Sequence, residues 1–138
     1  LLEKELKEYV VNKNVEEKVL FPGNVSNLLE RINSATLFVM TSDFEGMPNA
    51  LIEAMAIGLP CISTDCPCGG ARELIVDGEN GRLISCGDSD ELARVIRHVL
   101  DDELLRKKFS KNAPQIREKL DATIVGKKWF EYLQKLEC

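Results

Sequence analysis

The sequence lacks the features that mark several large classes of proteins. It has no apolar run near the roughly 18 residues that a membrane-spanning helix needs, and it does not begin with the basic end and apolar stretch of a secretory signal. We therefore expect a cytoplasmic protein. Lys and Arg are few and scattered, with 18 of them against 23 Asp and Glu and a net charge of −5. No nucleic-acid partner is expected, because a groove for nucleic acid must neutralise many phosphates.

Metal-binding and nucleophilic patterns are also scarce. The five cysteines are an odd number without paired CxxC spacing, which disfavours a disulfide framework or a zinc site. Reduced thiols and no bound metal are expected, although Cys66 and Cys68 flank one proline and could in principle share an ion. The single histidine, His98, falls in the polar part of a helical pattern. A surface position is therefore predicted for it. A catalytic Ser-His-Asp or Cys-His arrangement then has no obvious histidine to act as its base.

What the sequence does contain is typical of one water-soluble globular domain. The chain has 138 residues, 44% hydrophobic and 30% charged, enough to bury a sizeable core. Short apolar runs alternate with segments of helical periodicity. Strands are predicted at residues 18–21, 36–41, 60–64 and 82–84, and helices at 1–14, 26–33, 48–57, 71–76, from 88 onward, and at 122–136. This alternation predicts an α/β fold whose mostly parallel sheet binds ligands at the carboxyl ends of its strands.

The central stretch is residues 42–60, with the sequence SDFEGMPNALIEAMAIGLP. Pro48 suits the first position of a helix because its ring presets φ and its missing N–H would have no partner there. Gly58 can adopt the left-handed conformation that ends a helix, and Pro60 prevents continuation. The sequence therefore predicts a helix of about ten residues, from Pro48 to Ile57.

The start of this helix has the properties of an anion site. The backbone N–H groups of Asn49, Ala50 and Leu51 are expected to be unpaired, and the helix dipole adds roughly half a positive charge there. A phosphate could dock on these groups, and the small residues Gly46 and Ala50 would leave room for it. Glu45 precedes the helix and Glu53 shares a face with its first turn. Each acid taken alone is typical of a solvated surface glutamate.

A second strand-to-glycine-to-helix junction spans residues 65–70, DCPCGG. Gly69 and Gly70 fit either the turn alone or a direct contact with a ligand. Arg72 beside this loop fits either an exposed cation or an anion contact. Trp129 and Tyr132 in the last helix have a spacing typical of core packing, although a partner domain could cover part of this face.

Three ordered motifs resemble the retaining glycosyltransferases of family 4, also called glycosyl transferases group 1. Glu45 and Glu53 match the family's E-x7-E signature within FEGMPNALIEAMAIGLP, residues 44–60. Residues 19–25, VLFPGNV, are similar to the strand and turn before the base pocket, and residues 73–84, ELIVDGENGRLI, to a later E-x4-G-x2-G-x-L segment. The resemblance covers nearly the whole chain up to about residue 105.

The resemblance implies the C-terminal half of a GT-B fold, a Rossmann-like domain that binds a sugar nucleotide. Glu45 would then contact the transferred sugar, and Glu53 would bind the ribose hydroxyls. The remaining implied donor contacts are backbone groups, at Gly46, Met47, Asn49, Ala50 and Leu51 for the diphosphate and sugar and at Gly23, Asn24 and Val25 for the base. The donor would be a UDP-sugar or a GDP-sugar, with retention of anomeric configuration and no metal or other cofactor.

The resemblance also implies what this chain lacks. The family's first strand of this domain, its Gly-rich turn, and an Arg and a Lys that grip the diphosphate have no counterpart here, nor has the acceptor-binding N-terminal domain. We therefore expect residues 1–112 to form an incomplete donor domain, with residues 113–138 as helices packing on it and toward the missing half. Such a chain alone should be catalytically silent and should bind the donor weakly at best.

The full-length protein would transfer a hexosyl or N-acetylhexosaminyl group to a glycan or lipid-linked acceptor in surface polysaccharide or glycoconjugate synthesis. Peripheral membrane association is expected, if at all, only of that full-length protein. The alternative is a non-catalytic α/β nucleotide-binding or interaction module.

Overall fold

A small parallel sheet organises the chain, which a computed structural model describes from residue 2 to residue 136. Its strands are β1 (Phe38–Met40), β2 (Cys61–Thr64) and β3 (Arg82–Ile84), in the order β1-β2-β3. Phe38 pairs with Cys61 and Ile62 pairs with Arg82. The predicted α/β fold with a parallel sheet is thus confirmed, and the carboxyl ends of the strands meet at one edge.

Helices connect and flank the strands. They are α1 (Leu2–Asn12), α2 (Leu28–Ile32), α3 (Asn49–Ala56), α4 (Gly70–Leu74), α5 (Ser89–Asp101), α6 (Glu103–Asn112), α7 (Ile116–Lys119) and α8 (Ala122–Gln134). Two 3-10 turns, Glu16–Lys18 and Ala113–Gln115, complete the order. Asp88 caps α5 by accepting a hydrogen bond from the Glu91 N–H at 2.7 Å, as the acidic start of this helix predicted.

The core lies on both faces of the sheet. Central strand β2 is buried along its whole length. On β1, Phe38 and Met40 pack against the cluster around α3, whereas Leu37 and Val39 pack against the cluster that contains Phe109. This alternation follows from the two-residue period of a strand. It confirms that the apolar run around β1 is covered on both sides.

The strand predicted at residues 18–21 is wrong. Residues Glu16–Lys18 form a 3-10 turn instead, and Val19 is extended but belongs to no strand. The Leu20 side chain is 85% exposed. An apolar segment becomes a strand only when a neighbouring strand accepts its hydrogen bonds, and none of the described residues supplies one beside this segment.

Two predicted helix starts shift by one residue. Pro48 is the N-cap of α3 rather than its first helical residue, with φ −78° and ψ 96°. Asn27 is the N-cap of α2, one residue after the start of the predicted segment 26–33, and it has the left-handed conformation with φ 65°. The predicted end of α3 is confirmed, because Gly58 has φ 86°.

The terminal helices expose their apolar residues. Trp129 is 61% exposed and Tyr132 is 55% exposed, so the prediction that they pack into a core is wrong within residues 2–136. Their rings contact each other edge to face, with centroids 6.2 Å apart. Helix α1 likewise buries no residue. Among the described helices, none is both long and apolar enough to cross a membrane.

Candidate functional site

The loop that joins β1 to α3, residues 41–48, carries Glu45 and is called the β1 loop below. It lies at the carboxyl end of β1, where a parallel sheet binds its ligands. Glu45 is half-buried, and the Ser42 hydroxyl donates a hydrogen bond to its Oε1 at 3.1 Å. No donor to Oε2 is present among residues 2–136. One carboxylate oxygen is therefore held by the protein and the other is available.

Contacts from distant residues hold the β1 loop in place. Thr64, at the end of β2, is 3% exposed and its hydroxyl donates to the carbonyl oxygen of Ser42. The Cys66 thiol lies 3.9 Å from the carbonyl oxygen of Glu45, and the Cys86 thiol 4.0 Å from that of Ser42. The loop is thus tied to the carboxyl ends of both other strands.

Gly46 in the β1 loop and Gly70 in the second junction are in contact. A Cβ placed on Gly70 would lie 1.6 Å from the carbonyl oxygen of Gly46, so the backbones are in direct contact and no side chain fits between them. This supports the turn-and-packing interpretation of Gly70. By contrast, a Cβ placed on Gly46 would have no atom within 4 Å, so the space on that side of the loop is open.

The start of α3 offers two free amides rather than three. Pro48 makes no side-chain cap, and the N–H groups of Asn49 and Ala50 have no backbone acceptor within residues 2–136. The Leu51 N–H donates to the Pro48 carbonyl at 3.1 Å, so the prediction that it is unpaired is wrong. Met47 is 53% exposed and Leu51 is fully buried. The exposed positive end of the helix is therefore at Asn49 and Ala50.

Glu53 lies on the exposed surface of α3, one turn beyond Asn49 and Ala50. Its carboxylate makes no hydrogen bond or ion pair with the described residues. A solvent-accessible carboxylate beside free amides can accept hydrogen bonds from ligand hydroxyl groups while the amides bind an anion.

The predicted base-binding turn lies on an exposed segment. Gly23 is left-handed, with φ 64°, Asn24 is exposed and Val25 is half-buried. No hydrogen bond joins these three residues to the β1 loop in the described part of the chain. Their role in binding a base therefore stays a prediction.

In the second junction, the charged side chains of Arg72 and Asp65 pair with each other. Arg72 donates to both carboxylate oxygens of Asp65, with Nη2 2.7 Å from Oδ2 and Nε 3.0 Å from Oδ1. This hydrogen bonding with Asp65 raises the pKa of Arg72, which stays a cation. Gly69 is left-handed, with φ 74°, and precedes α4 as its N-cap. The left-handed conformation of Gly69 fits the turn interpretation, and its direct contact with a ligand stays a prediction.

The described thiols and carboxylates lie apart from one another. Residues 2–136 contain no cluster of three or more His, Cys, Asp or Glu side chains that could hold an ion. The thiols of Cys61, Cys66, Cys68 and Cys86 are free. Burial raises the pKa of the Cys61 thiol from 9.0 to about 12. His98 is exposed, as predicted.

Sequence reasoning missed Ser42 and Thr64. Ser42 precedes Glu45 by three residues, a spacing that permits a local hydrogen bond and could have drawn attention. Thr64 lies 22 residues from Ser42 and is brought to it only by the pairing of β1 with β2. A cavity of about 220 Å³ next to them was also missed, and it is lined by polar side chains that include Thr41, Asp43 and Asp88.

Comparison with known proteins identifies a family that this chain matches. The family model described as glycosyl transferases group 1 matches residues 2–116. A relative from Campylobacter jejuni is an N-acetylgalactosaminyltransferase whose name specifies an undecaprenol diphosphate-linked acceptor. It is 31% identical over 133 residues, which are 96% of this chain and 36% of the relative.

Solved structures have the same fold. The Anabaena protein HepE in complex with UDP has a TM-score of 0.88 at 28% identity, over 96% of this chain and 36% of HepE. The C-terminal domain of LpcC, a glycosyl transferase group 1 family protein from Francisella tularensis, has a TM-score of 0.74 at 29% identity, over 86% of this chain and 62% of that domain. The chain thus spans about a third of the length of HepE and of the Campylobacter relative.

Proposed function

The chain belongs to the glycosyl transferases group 1 family, and on that premise we propose that it is the donor-binding part of a retaining glycosyltransferase. The observation that carries the proposal is the exposed start of α3, where two unpaired amides lie between Glu45 and Glu53 in one short segment. The donor is a nucleotide-diphosphate sugar. UDP bound to HepE supports uracil as the first base to test, with guanine as the other candidate.

The diphosphate binds at the start of α3. The N–H groups of Asn49 and Ala50 donate to phosphate oxygens, and the helix dipole favours the negative charge. The backbone of Met47, a residue that is 53% exposed, adds a further contact, and Leu51 supports this turn from the core. During transfer, negative charge accumulates on the departing diphosphate. The positive helix end stabilises that charge, an effect that increases when water is excluded.

The two glutamates bind hydroxyl groups at opposite ends of the diphosphate. Glu53 accepts hydrogen bonds from the ribose diol, and Glu45 contacts the transferred sugar near the reacting carbon. Bonds to a charged acceptor are roughly twice as strong as neutral ones, which suits carboxylates to this task. The open space above Gly46 admits the sugar. The turn at Gly23, Asn24 and Val25 offers backbone groups to the base.

The organisation and the acceptor are part of the same proposal. Residues 1–112 form the sugar-nucleotide domain, and residues 113–138 pack on it and toward a second domain that binds the acceptor. The acceptor is a glycan or a lipid-linked glycan, and the group transferred is a hexosyl or N-acetylhexosaminyl residue. The lipid-linked substrate in the name of the Campylobacter relative supports this class of acceptor. The longer protein would meet such an acceptor in the cytoplasm at the membrane surface.

A nucleotide titration of the 138-residue chain, followed by amide NMR, tests the proposal. UDP or GDP should shift the amide signals of Gly46, Met47, Asn49 and Ala50. Glu53→Ala should weaken binding by roughly ten- to a hundredfold, the loss expected for hydrogen bonds to a charged group. Glu118→Ala is the matched control because Glu118 is also an exposed helical glutamate, on α7.

The outcomes separate the candidate functions. Equal nucleotide binding by wild type and Glu53→Ala would remove Glu53 from the site. Absence of any nucleotide-induced shift would favour an interaction module over a donor-binding domain. A radiolabelled-sugar transfer assay should show no turnover by this chain alone, and turnover would refute the proposed need for a second domain.

A further inference from the structure

The geometry assigns Ser42 a role as a positioning residue for Glu45, an inference that rests on the proposed function. Ser42 holds one oxygen of the Glu45 carboxylate so that the other is presented to the sugar of the donor. The Glu45 carboxylate is held asymmetrically, since its Oε1 accepts a hydrogen bond from the Ser42 hydroxyl at 3.1 Å and its Oε2 has no donor within residues 2–136. A free carboxylate would rotate among several orientations, and a fixed hydrogen bond removes that freedom before the donor arrives.

Ser42 can position another group only if its own position is fixed. Its carbonyl oxygen accepts a hydrogen bond from the hydroxyl of Thr64, which belongs to the central, fully buried strand β2. The Cys86 thiol also lies 4.0 Å from that oxygen. A loop at a strand end is usually among the more mobile parts of a fold, and these contacts anchor this one to the sheet.

The backbone on the other side of Glu45 is fixed as well. The Cys66 thiol lies 3.9 Å from the Glu45 carbonyl oxygen, and Gly70 abuts the carbonyl of Gly46. The Ser42-to-Gly46 segment is therefore held against the sheet at Ser42 and against the second junction at Gly46. Among residues 2–136, the Ser42 hydroxyl is the hydrogen-bond donor that fixes the side chain of Glu45.

The proposed role distinguishes a sugar effect from a nucleotide effect. Ser42 touches Glu45, and Glu45 is assigned to the sugar, whereas UDP is assigned to the amides of α3 and to Glu53. Loss of the Ser42 hydroxyl should leave the affinity for UDP within twofold. It should reduce the affinity for UDP-glucose by about fivefold, which corresponds to about 1 kcal/mol for one hydrogen bond.

The experiment compares four proteins: wild type, Ser42→Ala, Ser42→Thr and the control Ser34→Ala. Ser34 is an exposed serine before β1 whose side chain makes no hydrogen bond in the described part of the chain. Each is titrated with UDP and with UDP-glucose by amide NMR, and the Glu45 carboxyl carbon is observed after selective ¹³C labelling. Ser42→Ala should move the Glu45 carboxyl signal and lower the affinity for UDP-glucose by about fivefold while leaving the affinity for UDP within twofold. Ser42→Thr should restore both, because it keeps the hydroxyl.

Each result has one meaning. Equal UDP-glucose affinity in wild type and Ser42→Ala, or an unchanged Glu45 carboxyl signal, overturns the role of Ser42 and leaves the proposed function standing. Equal losses for UDP and UDP-glucose also overturn it, since they indicate a general structural effect. If wild type binds neither ligand, the proposed function fails and the inference fails with it.

Discussion

Replacing Gly46 by alanine tests whether a donor approaches the β1 loop. Apart from Gly46 and its two chain neighbours, no atom of residues 2–136 would lie within 4 Å of the new methyl group, and Gly46 does not lie in the left-handed region that alanine avoids. The free energy of unfolding should therefore change by no more than about 0.5 kcal/mol, as for a surface substitution. In the proposed complex, however, this space holds the donor. The methyl group would then meet the sugar or the diphosphate.

The expected magnitude follows from steric exclusion in a tight contact. A group that forces a bound ligand to shift costs about 1–3 kcal/mol, as overpacking does in a core. The affinity for UDP-glucose should therefore fall by roughly five- to more than a hundredfold. Thermal unfolding and amide NMR titration measure the two quantities on the same sample.

Gly70→Ala serves as the contrasting variant. Its Cβ would lie 1.6 Å from the Gly46 carbonyl oxygen, so the backbone must move and the protein should be destabilised. If Gly46→Ala binds UDP-glucose like wild type, the donor does not occupy the space above Gly46. If Gly46→Ala unfolds as easily as Gly70→Ala, the open space inferred at this position is wrong.

Three further predictions contrast buried with exposed side chains. Phe109 is fully buried in the cluster on the face of the sheet opposite α3, so Phe109→Ala should lower the free energy of unfolding in urea by about 3–5 kcal/mol. Phe130→Ala, at a side chain that is 63% exposed, should change it by less than about 0.5 kcal/mol, and equal losses would contradict the burial pattern. At pH 8 an alkylating reagent should label exposed Cys68 and Cys86 in the folded chain, whereas buried Cys61, with a pKa of about 12, should react only after unfolding. The pKa of the Cys61 thiol is near 9.0 in the unfolded chain and about 12 in the folded one, so its contribution to the free energy of unfolding should fall as pH rises through that interval. Labelling of Cys61 in the folded chain would contradict its burial.

The sequence by itself determined the local elements around the site. The end of α3 is encoded by Gly58, whose left-handed conformation is confirmed. The bounds of β3 match the predicted residues 82–84, and α5 starts beside its acidic cap. The family was also recognisable from motifs of adjacent residues, and residues 2–116 match its model. Such features can be predicted from the sequence because they depend on a few neighbouring residues.

Only the tertiary structure decided which local tendencies were realised. Residues 19–21 are apolar and suited to a strand, yet they form none, because a strand exists through hydrogen bonds to a neighbour. Trp129 and Tyr132 have core-like spacing but are exposed, since spacing does not specify what lies opposite. The contacts of Thr64 with Ser42 and of Gly70 with Gly46 join residues more than 20 positions apart. They arise from the pairing of β1 with β2, and they determine how the site holds Glu45.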